Sequence, residues 1–176
     1  MRIAFLGDSI THSGSWQDWL PGHQVTNFAQ PGHTTFDMAN LFEEVRTVDP
    51  ELIIVMIGTN DFGGQRLPEE QVVHNILDNA NNLRELFPVV PIIWNSLSPR
   101  SDEYSQKIVT TNKKIKPALE NLRIEYLDVF SLLKESGSII IERRYCADPD
   151  SFGLHLNQSG YEVWLKALEP LIYKFA

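Results

Sequence analysis

Two segments near opposite ends of the sequence contain the side chains of a nucleophile and a base. Ser9 lies in the segment Gly7–Thr11, directly after a short apolar run. A serine on a turn from strand to helix is held by the backbone, and its own N–H points into a crevice, which suits a nucleophile. His155 precedes Asn157, a good helix N-cap, and so lies on a loop where it could act as a general base. Each residue alone has a simpler interpretation, because Asp8 and Ser9 fit a helix cap and a lone histidine is most often a surface or core residue.

Two further segments offer hydrogen-bond donors of the kind that an oxyanion needs. Asn60 follows a continuously apolar run, and its NH₂ group could donate to negative charge that develops on a substrate oxygen. Asp61, beside it, is interpreted as a cap. Gly32 could let an unhindered backbone N–H approach the same oxygen, because glycine has no side chain. The pair Pro31-Gly32 is equally an ordinary turn before a helix, so both alternatives stay open.

The segments that must position these residues alternate in character along the chain. Strand-like runs are predicted at Ile3–Leu6, Gln24–Phe28, Leu52–Ile57, Val89–Trp94 and Ile124–Val129. Helices are predicted from Thr34 or Thr35 to Val45, from Pro68 to Phe87, from Glu103 to Asn121 with a kink or interruption at Pro117, and from Asn157 onward. Strands that alternate with helices predict an α/β fold, with a parallel sheet and helices on both faces. Sites in such sheets lie beyond the carboxyl ends of the strands, where the four polar segments would meet.

Composition and charge exclude several classes of protein. The 176 residues are 43% hydrophobic, which excludes disorder and fits a single domain, 1–176. The 15 Lys and Arg residues against 23 Asp and Glu residues give a formal net charge of −8, which argues against nucleic acid and anionic membranes as partners. No apolar run approaches the roughly 20 residues of a membrane span. The apolar run at the amino end is also too short for a signal peptide, so a cytoplasmic location is expected.

Cysteine and histidine usage gives no indication of a metal or disulfide framework. Cys146 is the single cysteine, which excludes an internal disulfide and a cysteine-rich zinc site. His12, His23 and His33 have spacings that match no metal-ligand motif. We therefore expect no metal site.

Taken together, the four polar segments resemble the blocks of one family, the SGNH (GDSL-type) hydrolases. The blocks occur in order as Gly7–Ser9, Asn27–Gly32, Gly58–Asp61 and Gly153–Asn157, so the resemblance spans nearly the whole chain. It implies a three-layer α/β/α sandwich with a flavodoxin-like, five-stranded parallel sheet. It also implies hydrolysis of a small-molecule ester with no metal and no organic cofactor.

The resemblance implies a role for each matching residue. Ser9 would be the nucleophile and His155 the base that takes its proton. The backbone N–H groups of Ser9 and Gly32, with the side-chain amide of Asn60, would form the oxyanion hole. Ala29 stands where the family pattern has a glycine, a difference expected to affect only loop packing.

The acid that orients the histidine is the point at which the chain departs from the family pattern. The family carries this acid three residues before the histidine, a position that Phe152 occupies here. A two-residue insertion, Ser151-Phe152, would restore the match and predicts Asp150 as the acid. Asp148 is the alternative, and a Ser–His dyad oriented by a backbone carbonyl is the third interpretation.

The function expected from these residues is that of a serine esterase for small acyl esters, with acetyl groups on carbohydrates as one candidate. The stretch between Asn60 and Pro68 is short, and long acyl chains need a long apolar channel. Cleavage of lysophospholipids or thioesters on the same fold is an alternative.

Two rival functions belong to other classes. A flavin or nucleotide phosphate could bind near the first strand, although the segment Gly7–Thr11 lacks a glycine-rich pattern and Asp8 would repel a phosphate. The other rival is an interaction module that kept the fold without catalysis, which the departure at Phe152 leaves open.

Overall fold

A five-stranded parallel sheet forms the middle layer of the computed structural model, which describes residues 1–176. The strands are β1 (Arg2–Gly7), β2 (Gln24–Asn27), β3 (Leu52–Met56), β4 (Ile92–Asn95) and β5 (Glu125–Leu127). They lie in the order β2-β1-β3-β4-β5, and every neighbouring pair is parallel. This strand order is the flavodoxin-like one, and it confirms the predicted α/β class and sheet.

Ten helical segments connect the strands and cover both faces of the sheet. They are α1 (Ser9–His12), α2 (Trp16–Trp19), α3 (Thr35–Ala39), α4 (Phe42–Thr47), α5 (Thr59–Gly63), α6 (Glu69–Leu86), α7 (Ser105–Asn121), α8 (Val129–Leu133), a 3₁₀ turn (Arg143–Tyr145) and α9 (Gln158–Phe175). Helices α3 to α7 pack on one face, and α1, α2, α8 and α9 pack on the other. The three layers are those that the family resemblance implies. None of the helices combines the length and hydropathy that a membrane-spanning segment needs.

The central strands are apolar along their whole length because they are covered on both sides. Successive side chains of a strand point to opposite faces. Accordingly, Leu6, Ile53 and Val55 belong to the core under α6 and α7, whereas Phe5 and Ile54 belong to the core under α9. All five residues are at most 1% exposed, which explains why the runs in β1 and β3 show no polar alternation.

Two details of the predicted helices are wrong. The helix predicted to run to Val45 is divided into α3 and α4, because the N–H groups of Asn40 and Leu41 donate to carbonyl oxygens three residues back, those of Asp37 and Met38, and so make a tight turn between the two helices. The predicted interruption at Pro117 is absent, since α7 continues to Asn121. Pro117 is exposed, and its ring removes one backbone N–H from the helix without ending it.

An aromatic cluster joins α9 to the segment that follows β1. The ring of Trp16 stacks on Phe5 with centroids 4.6 Å apart and meets Trp164 edge-on at 4.8 Å. The Tyr161 hydroxyl donates to the carbonyl oxygen of Ile10 at 2.6 Å. Trp16 is therefore a core residue that packs α2 on the sheet. The cluster also fixes the start of α9, and the loop before it, relative to α1.

The carboxyl ends of β1 and β3 lie side by side at the centre of the sheet, with Gly7 paired opposite Met56. The chain leaves β1 toward one edge of the sheet and leaves β3 toward the other. A crevice opens between two such strands, and it is the usual place for a site in this strand order. Ser9 follows the first of these strands and Asn60 follows the second.

Candidate active site

Ser9 begins α1 at the carboxyl end of β1. At Gly7, a Cβ atom would lie 2.6 Å from the carbonyl oxygen of Met56, so only glycine lets the chain turn this close to β3. Asp8 then caps α1, with its Oδ1 accepting a hydrogen bond from the N–H of Ile10 at 2.9 Å. Asp8 thus forms the helix cap of one interpretation, and Ser9 is half-buried at the turn from strand to helix.

His155 connects Ser9 to a carboxylate. Its Nε2 lies 3.1 Å from the Oγ of Ser9, although the two residues are 146 positions apart in the sequence. Its Nδ1 lies 2.7 Å from the Oδ2 of Asp148. An ionised carboxylate can only accept, so the neutral imidazole carries its proton on Nδ1 and presents Nε2 as the acceptor. The Ser9 hydroxyl can then donate to Nε2, and the three side chains form one hydrogen-bonded row.

Asp148 accepts hydrogen bonds from four directions. Its Oδ1 accepts from the thiol of Cys146 at 3.2 Å and from the backbone N–H groups of Leu154 and His155 at 2.9 and 3.0 Å. Partial burial alone would raise the pKa of this carboxyl, but the hydrogen bonds from the His155 ring, the backbone and the thiol outweigh it and hold the pKa at about 2. Asp148 is therefore ionised over the whole working range of a neutral-pH protein.

The prediction that Asp150 orients the histidine is wrong. The Asp150 side chain is 79% exposed and pairs with the Arg143 guanidinium at 2.8 Å, on the surface and away from the imidazole. The reason is the turn that follows Asp148, whose carbonyl oxygen accepts from the N–H groups of Ser151 and Gly153. This turn puts residues 150–152 at its tip. Asp150 is therefore on the surface, and Asp148, at the start of the turn, is the residue that contacts His155.

Asn60 is hydrogen-bonded to His33, the residue that follows Gly32. The side-chain amide of Asn60 donates one hydrogen to the carbonyl oxygen of His33 at 2.9 Å, and its second N–H has no acceptor within the protein. Gly32 is exposed, and its φ of +83° is one that glycine adopts without strain. The structure therefore joins Asn60 to the Gly32 turn, and leaves one amide N–H free to donate.

A network of buried hydrogen bonds holds Thr59, the residue before Asn60. Arg100 is 6% exposed, and its Nη1 donates to the carbonyl oxygen and hydroxyl of Thr59 at 3.0 and 2.9 Å. Its guanidinium also pairs with Asp102. Asp61 accepts from the N–H and hydroxyl of Thr35, so it caps α3 and not its own helix. Sequence reasoning missed Arg100, because a single arginine after a strand carries no spacing signal.

Cys146 and the histidines make no second site. Cys146 is buried, and burial raises the pKa of its thiol to about 11, so that the thiol remains a protonated donor to Asp148. No three or more His, Cys, Asp and Glu side chains come together in a group that could hold a metal ion.

Comparison with known proteins decides the family. Residues 5–163 match the sequence pattern described as the GDSL-like lipase/acylhydrolase family, which is most of the chain. The chain belongs to this family. The family named from the four sequence blocks is thereby confirmed, and the site described above lies in the segments that carried the resemblance.

Named relatives of this GDSL-like chain include hydrolases of different substrates. The platelet-activating factor acetylhydrolase IB subunit alpha2 of Rattus norvegicus is 27% identical over 97% of this chain and 75% of its own length. The fold is that of a GDSL-like lipase from Bacteroides thetaiotaomicron, with a TM-score of 0.86 at 20% identity, over 99% of this chain and 89% of that one. It is also that of an acetylxylan esterase from Geobacillus stearothermophilus, with a TM-score of 0.77 at 17% identity, over 96% of this chain and 92% of that one.

Asp8, the middle residue of the Gly7–Ser9 block of this GDSL-like protein, is an ionisable group buried beside Ser9. It is fully buried, and its Oδ2 has no hydrogen-bond partner. Burial raises the pKa of Asp8 to about 7, against the lowering effect of the hydrogen bond from Ile10. The carboxyl is therefore protonated in the folded protein over a pH range in which an exposed aspartate is ionised.

We expect the free energy of unfolding to depend on pH because the pKa of buried Asp8 is raised. Between the ordinary pKa of 3.8 and the raised value of about 7, the folded chain binds a proton at Asp8 that the unfolded chain does not, so stability falls as pH rises through this window. Asp8→Asn keeps the acceptor for Ile10 and removes the titration. Urea unfolding of both proteins between about pH 4.5 and pH 8 should show the variant gaining stability relative to the unsubstituted protein as pH rises. A stability difference that is the same at every pH would contradict the raised pKa.

Proposed function

We propose that this protein is a serine esterase that hydrolyses small acyl esters through a covalent acyl-enzyme. The observation that carries the proposal is the row Ser9–His155–Asp148, with contacts of 3.1 and 2.7 Å. An alcohol becomes a competent nucleophile when a base accepts its proton during attack. The row supplies that base, and the ionised carboxylate fixes which ring nitrogen accepts.

In the first step, the Oγ of Ser9 attacks the carbonyl carbon of the ester while its proton passes to Nε2 of His155. The imidazole becomes a cation that Asp148 stabilises, because this carboxylate stays ionised above about pH 2. The carbonyl π electrons move onto the oxygen. Asn60 and the backbone N–H groups of Ser9 and Gly32 are proposed to donate to that oxyanion, and each such donor is typically worth about 100- to 1,000-fold in rate.

The second half of the cycle reverses these proton movements. As the tetrahedral intermediate collapses, the bond from carbon to the alcohol oxygen breaks, and His155 gives its proton to the departing alkoxide. Water then takes the place of the alcohol. His155 accepts a proton from the water as it attacks the acyl-Ser9 carbonyl, and returns that proton to Oγ when the carboxylic acid leaves.

A short acyl group, of the acetyl type, fits the surroundings best. Only residues 64–68 separate α5 from α6, which is too few for a lid over a long chain. The large cavity of about 900 Å³ lies at the amino ends of β4 and β5, the opposite end of the sheet from Ser9. The names of two relatives, an acetylhydrolase and an acetylxylan esterase, share the acetyl group and differ in the alcohol. Both alcohol classes are therefore candidates, with carbohydrate-borne acetyl esters preferred here and lysophospholipid or thioester cleavage as the alternatives.

The rival interaction module is disfavoured by the assembled row. Three side chains from distant parts of the sequence meet with hydrogen-bond geometry, which an inactive descendant has no need to retain. We also propose that nucleic acid and anionic membranes are not partners, because the chain carries a formal net charge of −8.

A series of 4-nitrophenyl esters tests the proposed chemistry. Wild type should hydrolyse the acetate faster than the butyrate and the octanoate, because the five residues between α5 and α6 are too few for a lid over a long chain. Ser9→Ala should lose at least about 1,000-fold in kcat on the acetate. Activity that survives in Ser9→Ala would assign the nucleophile to another residue. A preference for octanoate would contradict the short-acyl proposal and leave the nucleophile in place.

The choice of acid is tested by a matched pair of substitutions in one loop. Asp148→Asn would present an amide N–H to the Nδ1–H of His155 and favour the wrong ring tautomer, so kcat on 4-nitrophenyl acetate should fall roughly 1,000- to 10,000-fold. Asp150→Asn removes only an exposed ion pair and should leave kcat within about twofold. Thermal melts of both variants serve as the control for folding. Equal losses in the two variants would contradict the assignment.

A further inference from the structure

Phe152 is an aromatic side chain held at the surface beside the histidine. It is 66% exposed, and its ring lies perpendicular to that of His155, with centroids 6.4 Å apart. Most large apolar side chains of this protein are buried, and an exposed aromatic ring is common where a protein binds a partner with an apolar face. None of the steps described above uses Phe152.

The exposure of Phe152 is not a consequence of a loose turn. The turn is closed by hydrogen bonds from the N–H groups of Ser151 and Gly153 to the carbonyl oxygen of Asp148, at 3.0 and 2.9 Å. The carbonyl oxygen of Gly153 in turn accepts from the N–H of Ser101 at 3.0 Å. Gly153 is packed so closely that a Cβ atom would lie 2.6 Å from the Cβ of Ser101. The backbone on both sides of Phe152 is thus fixed, and its ring is exposed beside His155.

The proposed mechanism determines which part of a substrate lies near the ring of Phe152. The carbonyl oxygen of the ester must point toward Asn60, where the free amide N–H lies. The alcohol oxygen must lie at Nε2 of His155, since that nitrogen delivers its proton to the departing alkoxide. The group that carries this oxygen therefore extends over the His155 side of the site, which is where Phe152 stands.

We infer that Phe152 is a specificity-determining residue that packs against the apolar C–H face of a sugar ring, the alcohol part of the ester. This inference rests on the proposed esterase function and names its leaving group. Phe152 offers one flat apolar surface, and its neighbours Asp150 and Ser151 are polar and exposed. A sugar ring has the matching character, with a C–H face and a rim of hydroxyl groups. A lipid chain would instead need a contiguous apolar patch.

Two acetate esters with different alcohols test the inference, because both give the same acetyl-Ser9 and share every later step. The esters are a mono-acetylated methyl β-D-xylopyranoside and ethyl acetate, and the quantity measured is kcat/KM, which reports the step in which the alcohol is still present. Phe152→Ala should lower kcat/KM about tenfold on the sugar ester, because the sugar no longer buries one face of the Phe152 ring. On ethyl acetate, which has no sugar ring, the same variant should lower kcat/KM by less than about twofold. Phe152→Tyr should retain the sugar activity. Tyr173→Ala removes another ring, 68% exposed at the far end of α9, and should change neither.

The outcomes separate the two proposals. Equal losses on both esters would show that Phe152 only supports His155, and would overturn the inference, as would no loss on either. Wild type that hydrolyses ethyl acetate but not the sugar ester would also overturn it, while the proposed esterase function stands. Wild type that hydrolyses no ester of either series would overturn both.

Discussion

The carboxylate of Asp148 is the group on which the arrangement of the site depends. One oxygen accepts a hydrogen bond from the imidazole of His155. The other accepts hydrogen bonds from the backbone N–H groups of Leu154 and His155 and from the Cys146 thiol. The same negative charge that orients the ring also closes the turn that carries it. Because charge-assisted hydrogen bonds are stronger than neutral ones, loop geometry and ring orientation are stabilised together. A neutral side chain here would weaken both.

The fold supplies the rest of the alignment through long-range packing. Ser9 is fixed by the turn at Gly7, and His155 by the loop that leads into α9. These two elements meet because Trp16 packs between Phe5 and Trp164, and because the Tyr161 hydroxyl donates to the carbonyl of Ile10. Asn60 follows β3, whose end lies beside that of β1. Two neighbouring strands and one helix thus position the segments that contain Ser9, Asn60 and His155.

Much of this arrangement could be predicted from the sequence. Continuous apolar runs identify strands that are covered on both faces, and alternation with helices identifies a parallel sheet, whose carboxyl ends gather Ser9, Gly32 and Asn60. The choice between Asp148 and Asp150 could not be predicted by spacing. It depends on which carbonyl accepts from Ser151 and Gly153, and therefore on how one turn closes. The spacing argument allowed two extra residues between the acid and the histidine, whereas the turn after Asp148 accommodates four.

Electrostatic features of the site were also beyond sequence reasoning. Arg100 lies beneath Thr59, and Asp8 is wholly buried, because of packing between segments far apart in the chain. Arg100 belongs to no spaced motif, and the Gly7–Ser9 block that contains Asp8 does not indicate that its carboxyl is buried. Of the kink or interruption predicted at Pro117, the interruption is absent, since α7 continues to Asn121.

The central claim is that the row Ser9–His155–Asp148 makes one serine nucleophilic. The most direct test is the mass of the protein after treatment with a 4-nitrophenyl alkylphosphonate ester, which releases 4-nitrophenol as a serine oxygen bonds to phosphorus. The account predicts a single adduct on the peptide that contains Ser9, formed far more slowly in His155→Ala. No adduct, or an adduct on another residue such as Cys146, would contradict it.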